Sequence, residues 1–166
     1  MLRTLVEIAD KTLGFEKADA HCDIPCGVYD PASAQIAALS VIRFMDLIQE
    51  VADREGNSAA DQAQLARLAI AKEAEAVKVK EEVRIIWGDY FKAPQFEKYP
   101  NTNELVHSIM MAASACKQGI ERAKGEKLLA LVNEFAASFW DTKGVETYEA
   151  ECPYPPSMPV VYPKLG

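Results

Sequence analysis

Four stretches with apolar residues at helical spacing, joined by short or proline-rich connectors, predict an all-α protein, an antiparallel four-helix bundle. Helix-start signals support this, with Asp30-Pro31, Ser58 and Thr102-Asn103 standing before three of the stretches. A third observation is a segment that cannot be helical. His21 to Tyr29 packs two thiols and an imidazole beside Pro25 and Gly27, which force a compact turn.

At 166 residues the chain fits one domain with room for a real core, and its 49% apolar and 26% charged content is an ordinary globular balance. The net charge of −7, without any cluster of Lys or Arg, argues against a phosphate-backbone binder, so no nucleic-acid partner is expected. No run approaches the roughly 18 apolar residues a membrane span requires, so no membrane partner is expected either.

Met1 to Ala20 places Leu2, Leu5, Val6, Ala9 and Leu13 near helical spacing, while Glu7, Asp10, Lys11, Glu16 and Lys17 rule out the apolar middle of a secretory signal. Ala18-Asp19-Ala20 has the look of a small-residue cleavage site, yet these residues alone favour an attached N-terminal helix.

Asp30 as N-cap acceptor and Pro31 at the first helical position start the first long helix, which ends near Gly56. Ile36, Leu39, Ile42, Phe44, Met45, Leu47, Ile48 and Val51 give it a wide apolar face. Ser58 caps the second helix, and Asp61 complements its positive end. Along it, Lys72, Glu73, Glu75, Lys78, Lys80, Glu81, Glu82 and Arg84 read as a solvated or subunit-facing side with local ion pairs.

Pro94 and Pro100 prevent Gly88 to Pro100 from being helical throughout. Its Tyr90, Phe91, Phe96 and Tyr99 suit a wall leaning over a neighbouring site. A third helix starts at Thr102 and stops near Gly125, with His107 facing solvent and Cys116 acting as a small buried hydrophobe. The fourth spans about Glu126 to Lys143, with Gly144 as its stop. Beyond it, five prolines from Pro153 to Pro163 predict an extended segment draped on the surface, with Cys152 as a free, exposed thiol.

The chemistry concentrates in the early turn. Thiolate and imidazole are the usual ligands of late first-row metals, although Cys-x3-Cys is also the spacing of a small-loop disulfide or half a zinc site. A cut between Ala20 and His21 would add the His21 amine as a donor, and the Cys22 amide nitrogen and thiolate would then close adjacent chelate rings. An anionic amide beside an amine and thiolates in one plane suits Ni(II) or Cu(II), whose preference is tetragonal. The bundle is therefore expected to carry an N-terminal metal hook.

Two segments carry a family resemblance. His21-Cys22-Asp23-Ile24-Pro25-Cys26-Gly27-Val28-Tyr29-Asp30-Pro31 resembles the nickel hook of the nickel superoxide dismutases, and Trp87-Gly88-Asp89-Tyr90-Phe91-Lys92-Ala93-Pro94-Gln95-Phe96-Glu97-Lys98-Tyr99-Pro100 resembles their inter-helix segment. The resemblance spans roughly His21 to Lys143. It implies a cytoplasmic precursor in four parts: a propeptide over 1–20, removed by a processing protease after Ala20, a hook over 21–29, the bundle over 30–144 and a Pro-rich extension over 145–166.

It also implies one nickel ion per subunit, held by His21, Cys22 and Cys26 in a homohexamer that disproportionates superoxide to O2 and H2O2. Tyr29 and Tyr90 would gate the site and orient small species, while Asp23 would order the loop. Two positions depart from the family pattern. Ala37 stands where a first-helix Glu is usual and Glu75 where a second-helix Arg is usual, so Glu75 becomes the expected carboxylate partner of the hook imidazole. A nickel or copper carrier without turnover and a Cys22/Cys26 thiol-disulfide protein are the alternatives, and superoxide, an anion, poses a puzzle for a chain of net charge −7.

Overall fold

A computed structural model describes residues 27–56 and 58–165. The expectations for the propeptide, the cleavage after Ala20 and the hook residues His21, Cys22, Asp23 and Cys26 lie outside the described residues. The described chain runs through α1 (Ala32–Ala52), α2 (Ala59–Ile85), a π-helical turn (Ile86–Tyr90), the short α3 (Ala93–Lys98), α4 (Thr102–Gln118), α5 (Arg122–Thr142), β1 (Thr147–Glu151) and β2 (Pro159–Pro163).

The four long helices form an up-down-up-down bundle in which α1 packs on α2 and α5, and α4 packs on α2 and α5. Cross-links fix the antiparallel directions. Ser33 at the start of α1 donates to Glu82 near the end of α2 at 2.6 Å. Gln35 and Asp46 of α1 meet Asn133 and Arg122 of α5 in the reverse order. The core runs through Ile42 and Met45 of α1, Val79 and Val83 of α2, Ile109 of α4, and Leu128, Phe135 and Phe139 of α5, with Phe91 from the connector. Each such large side chain contributes about 1.5–3 kcal/mol by leaving water.

The start of α1 is shifted by one residue from the expectation, with Pro31 rather than Asp30 as the N-cap residue and Ala32 as the first helical position, while Ser58 caps α2 as expected. The Asp30 carboxylate accepts from the Ala32 amide at 2.8 Å, which satisfies one of the unpaired N–H groups of the first turn. Ser58 and Asp61 form a reciprocal capping box on α2, and the Ser58 hydrogen bonds are the main cause that holds the Asp61 carboxyl below its usual range.

Four local expectations are corrected. The boundary between the last two long helices falls at Gly119, not Gly125, and Gly125 lies buried inside α5. A Cβ there would stand 2.7 Å from Cγ1 of Ile42, so this glycine lets α5 approach α1 closely. Lys72 is not on a solvated face. It is 2% exposed, and its ammonium donates to the carbonyls of Cys116, Lys117 and Gly119 at 2.6, 3.0 and 2.6 Å. Those carbonyls end α4, where a cation also meets the negative pole of the helix. Ile36 is half exposed, so the apolar face of α1 is narrower than its composition suggests.

The fourth correction concerns the extension. Its residues do lie extended, but they pair as an antiparallel hairpin from Thr147↔Pro163 to Glu151↔Pro159. This hairpin packs on α5, burying Val160, Val161 and Cys152, so the expected exposed thiol is 2% exposed and donates to the Tyr154 carbonyl. A buried amide cluster fastens it. Gln35 Nε2 donates to Asn133 Oδ1 at 3.0 Å and to the Val161 carbonyl at 2.9 Å, while Asn133 Nδ2 donates to the Pro159 carbonyl at 2.9 Å.

Candidate functional site

One end of the bundle gathers the start of α1, the π-helical turn after α2 and the end of α5. Tyr29 comes from the strand-like lead into α1, one residue before the capping Asp30, so the rigid helix begins directly behind it. Tyr90 comes from the π turn, in which the Phe91 amide reaches back five residues to the Ile86 carbonyl at 3.3 Å. The wider turn presents two consecutive aromatics to the bundle, with Phe91 buried in the core and Tyr90 half-buried at its rim.

The Tyr29 and Tyr90 rings face each other with centroids 5.9 Å apart and planes tilted by 49°. Behind them Tyr90 packs edge-on against Phe139 at 4.8 Å and Phe91 at 5.5 Å, which fixes the ring from two sides. The structure therefore brings together both tyrosines singled out in the sequence. His107 is exposed on α4, as expected, and Cys116 is fully buried; burial pushes its thiol up to about 11.

Glu75 is not brought to the tyrosine pair. It lies half-buried on α2, fifteen positions before Tyr90, which is about 20 Å along a helix axis. Ala37 is fully buried in the bundle.

Two side chains at the end of α5 belong to this site and were missed in the sequence. The Thr142 hydroxyl lies 2.8 Å from the Tyr90 hydroxyl. Lys143 sets its ammonium 4.6 Å from the Tyr90 ring centroid and 5.6 Å from that of Phe139, a cation–π arrangement. The only available signal was indirect: a lysine just after an aromatic helix end, in a chain that needs local positive potential. Beside them, Asp141 takes a hydrogen bond from Tyr99 and an ion pair from Lys98. Burial, followed by the Asp141 contact, pushes the Tyr99 phenol up to about 12, while Lys98 and then Tyr99 hold the Asp141 carboxyl below its usual range.

Among the described residues no group of three or more His, Cys, Asp or Glu side chains could hold a metal ion.

Comparison with known proteins agrees with this arrangement. The sequence model of the nickel-containing superoxide dismutase family matches residues 16–143. The nickel superoxide dismutase of Streptomyces coelicolor (strain ATCC BAA-471 / A3(2) / M145) is 43% identical over 124 residues, covering 75% of this chain and 88% of that protein. That of Streptomyces seoulensis is 40% identical over 127 residues, covering 76% and 91%.

Among solved structures, native nickel superoxide dismutase aligns with a TM-score of 0.65 at 39% identity, over 74% of this chain and 99% of that one. A nickel-containing form whose ligation corresponds to the oxidised state aligns at 0.66 and 37% identity, over 75% and 99%. The hairpin follows the last residue matched by the family model, whereas both tyrosines, Thr142 and Lys143 fall inside that match. With the helical frame and the matched sequence in agreement, the chain belongs to the nickel-containing superoxide dismutase family.

Proposed function

We propose that the chain is a nickel-dependent superoxide dismutase whose metal centre is the hook from His21 to Tyr29, the segment that leads into the Tyr29–Tyr90 end of the bundle. The observation that carries this reading is the tyrosine pair: the residue that closes the hook segment meets the aromatic rim of the π turn at 5.9 Å.

The donor set fits nickel. After removal of residues 1–20, His21 would offer its amine and imidazole, Cys22 its amide nitrogen and thiolate, and Cys26 its thiolate. Two thiolates and an amide nitrogen beside an amine and an imidazole are a donor set of the kind that nickel accepts, and their charge would favour its higher oxidation state. Bound there, one nickel per subunit supplies the one-electron chemistry that converts one superoxide to O2 and the next to H2O2.

The remaining work belongs to side chains. Tyr29 and Tyr90 narrow access, which protects thiolates from the peroxide they help to make. Asp23 orders the hook through backbone N–H groups. Lys143 answers the charge puzzle, because its ammonium places positive potential beside Tyr90 in a molecule of net charge −7. Glu75 stands too far from its own tyrosine pair, so in this reading it serves the hook imidazole of a neighbouring copy in a homohexamer.

The propeptide (1–20) and its protease, the bundle (30–144), the extension (145–166) and a cytoplasmic setting complete the proposal. Among the described residues no helix is long and apolar enough to cross a membrane.

Cleavage is central, because an amide at the His21 nitrogen is a far poorer ligand than a free amine, whose proton leaves near pH 8. The test compares superoxide decay by stopped flow for nickel-loaded protein starting at His21 and at Met1. Fast decay for the His21 form alone is expected. Equal rates would remove the amine from the ligand set, and bound nickel without decay in either form would make the chain a carrier.

A further inference from the structure

The hydrogen-bond geometry at the end of α5 determines which way the Tyr90 proton points. Thr142 has one hydroxyl proton and two close oxygens to serve: the Phe139 carbonyl at 2.6 Å and the Tyr90 hydroxyl at 2.8 Å. A carbonyl cannot donate, so a contact of 2.6 Å needs the Thr142 proton between the two oxygens. The same bond is the usual back-bond of a helical threonine to the carbonyl three or four residues earlier. Thr142 then has only lone pairs left for Tyr90, and the Tyr90 O–H must be the donor.

We infer that Thr142 is a positioning residue that turns Tyr90 into a hydrogen-bond acceptor, so that Tyr90 orients a proton-bearing water for superoxide reduction and does not supply the proton itself. This rests on the reading of Tyr29 and Tyr90 as walls of the nickel site. With its only proton committed to Thr142, the phenol oxygen has only lone pairs left to offer a further partner. Those lone pairs repel an anion and hold a neutral donor.

A water that gives one O–H to Tyr90 keeps its second O–H for the anion attracted by Lys143, whose ammonium stands over the same ring. The reduction balances without Tyr90: superoxide takes one electron from the metal couple and two protons from water, yielding H2O2 and two hydroxides that solvent neutralises. Packing against Phe139 and Phe91 keeps the ring in the plane that makes the Thr142 bond.

The test reads the proton position before it reads turnover. Ultraviolet resonance Raman spectra of protein starting at His21, with and without nickel, are recorded for the native sequence, Thr142→Val, Thr142→Ser and Tyr90→Phe. Subtracting the Tyr90→Phe spectrum isolates the ring Fermi doublet of Tyr90, whose intensity ratio separates a donating from an accepting phenol. The expected result is the signature of a phenol that donates as well as accepts in the native protein and in Thr142→Ser, shifted to that of a phenol that only accepts in Thr142→Val. Superoxide decay should slow roughly three- to tenfold in Thr142→Val, the factor carried by one ordinary hydrogen bond, and recover in Thr142→Ser.

The signature of a phenol that only accepts in the native protein, or a signature unchanged in Thr142→Val, overturns the orientation. A lost donor component with undiminished turnover overturns the positioning role. If no form turns over superoxide, the functional reading fails and the Raman result still decides the orientation.

Discussion

Replacing Lys143 by Gln tests how an acidic protein draws in an anionic substrate. The Lys143 ammonium stands 4.6 Å from the Tyr90 ring centroid, so an anion that reaches the rim of that ring on the same side passes within roughly 5–6 Å of it. At 5.5 Å two unit charges attract by about 0.8 kcal/mol in bulk water and about 3 kcal/mol at an effective dielectric near 20. Lys143 is exposed, so the lower figure governs, and salt screens it further. A drop in kcat/KM of about three- to fivefold at low salt follows for Lys143→Gln.

Stopped-flow superoxide decay over a range of ionic strength is the assay. The native rate should fall with added salt, the Lys143→Gln rate should fall less, and the two should converge above about 0.5 M, where the Debye length is only a few ångströms. Lys143→Arg should keep most of the rate and the salt slope. Equal rates at low salt, or parallel salt slopes, would refute the argument that this ammonium supplies the local potential.

Gly125→Ala gains helix propensity but drives a Cβ to 2.7 Å from Ile42, so a net loss of about 1–2 kcal/mol is expected by chemical denaturation, with recovery when Ile42→Val is added. Lys72→Met strips the α4 terminus of three charge-assisted bonds and should lower the thermal midpoint by several degrees; an unchanged midpoint would mean that those carbonyls find other partners. The Asp141 carboxyl is held low, so the stability it contributes is present above the ordinary carboxylate range and is lost as pH falls through its lowered pKa. Asp141→Asn should therefore lower the neutral plateau slightly and flatten the acid limb of a stability-versus-pH curve, the two proteins converging below the lowered pKa. Glu75→Gln should weaken nickel retention only in assembled protein, and identical retention in dissociated and assembled forms would remove Glu75 from the hook's surroundings.

The bundle was legible because its causes are local and periodic. Ile42, Met45 and Ile48 recur on one side of α1, and Asp30, Ser58 and Asp61 sit where unpaired amides need acceptors. What escaped depends on distant partners. Lys72 looks like any solvated lysine until the end of α4 is placed across from it, and Gly125 looks like a stop until Ile42 arrives against it. The π turn at Ile86–Tyr90 has no sequence signature of its own, since it answers the need to seat Phe91 and Tyr90 on one surface. At the site, the donor atoms of the hook are readable from residue types alone. Thr142 matters only through an oxygen that the fold sets beside Tyr90.

The amide cluster of Gln35 and Asn133 has a consequence for how the hairpin seats. Gln35 is 4% exposed and Asn133 8%, and the hairpin supplies the Val161 and Pro159 carbonyls that quench their donors. A chain without the hairpin would open both amides to water, which would take over the bonds given up by the Val161 and Pro159 carbonyls, so the loss would fall on the apolar contacts of Val160 and Val161, about 1.5–3 kcal/mol for each such side chain. The two amides thus act as a register mark: they fix where the appendage seats on the bundle, while its apolar residues hold it there.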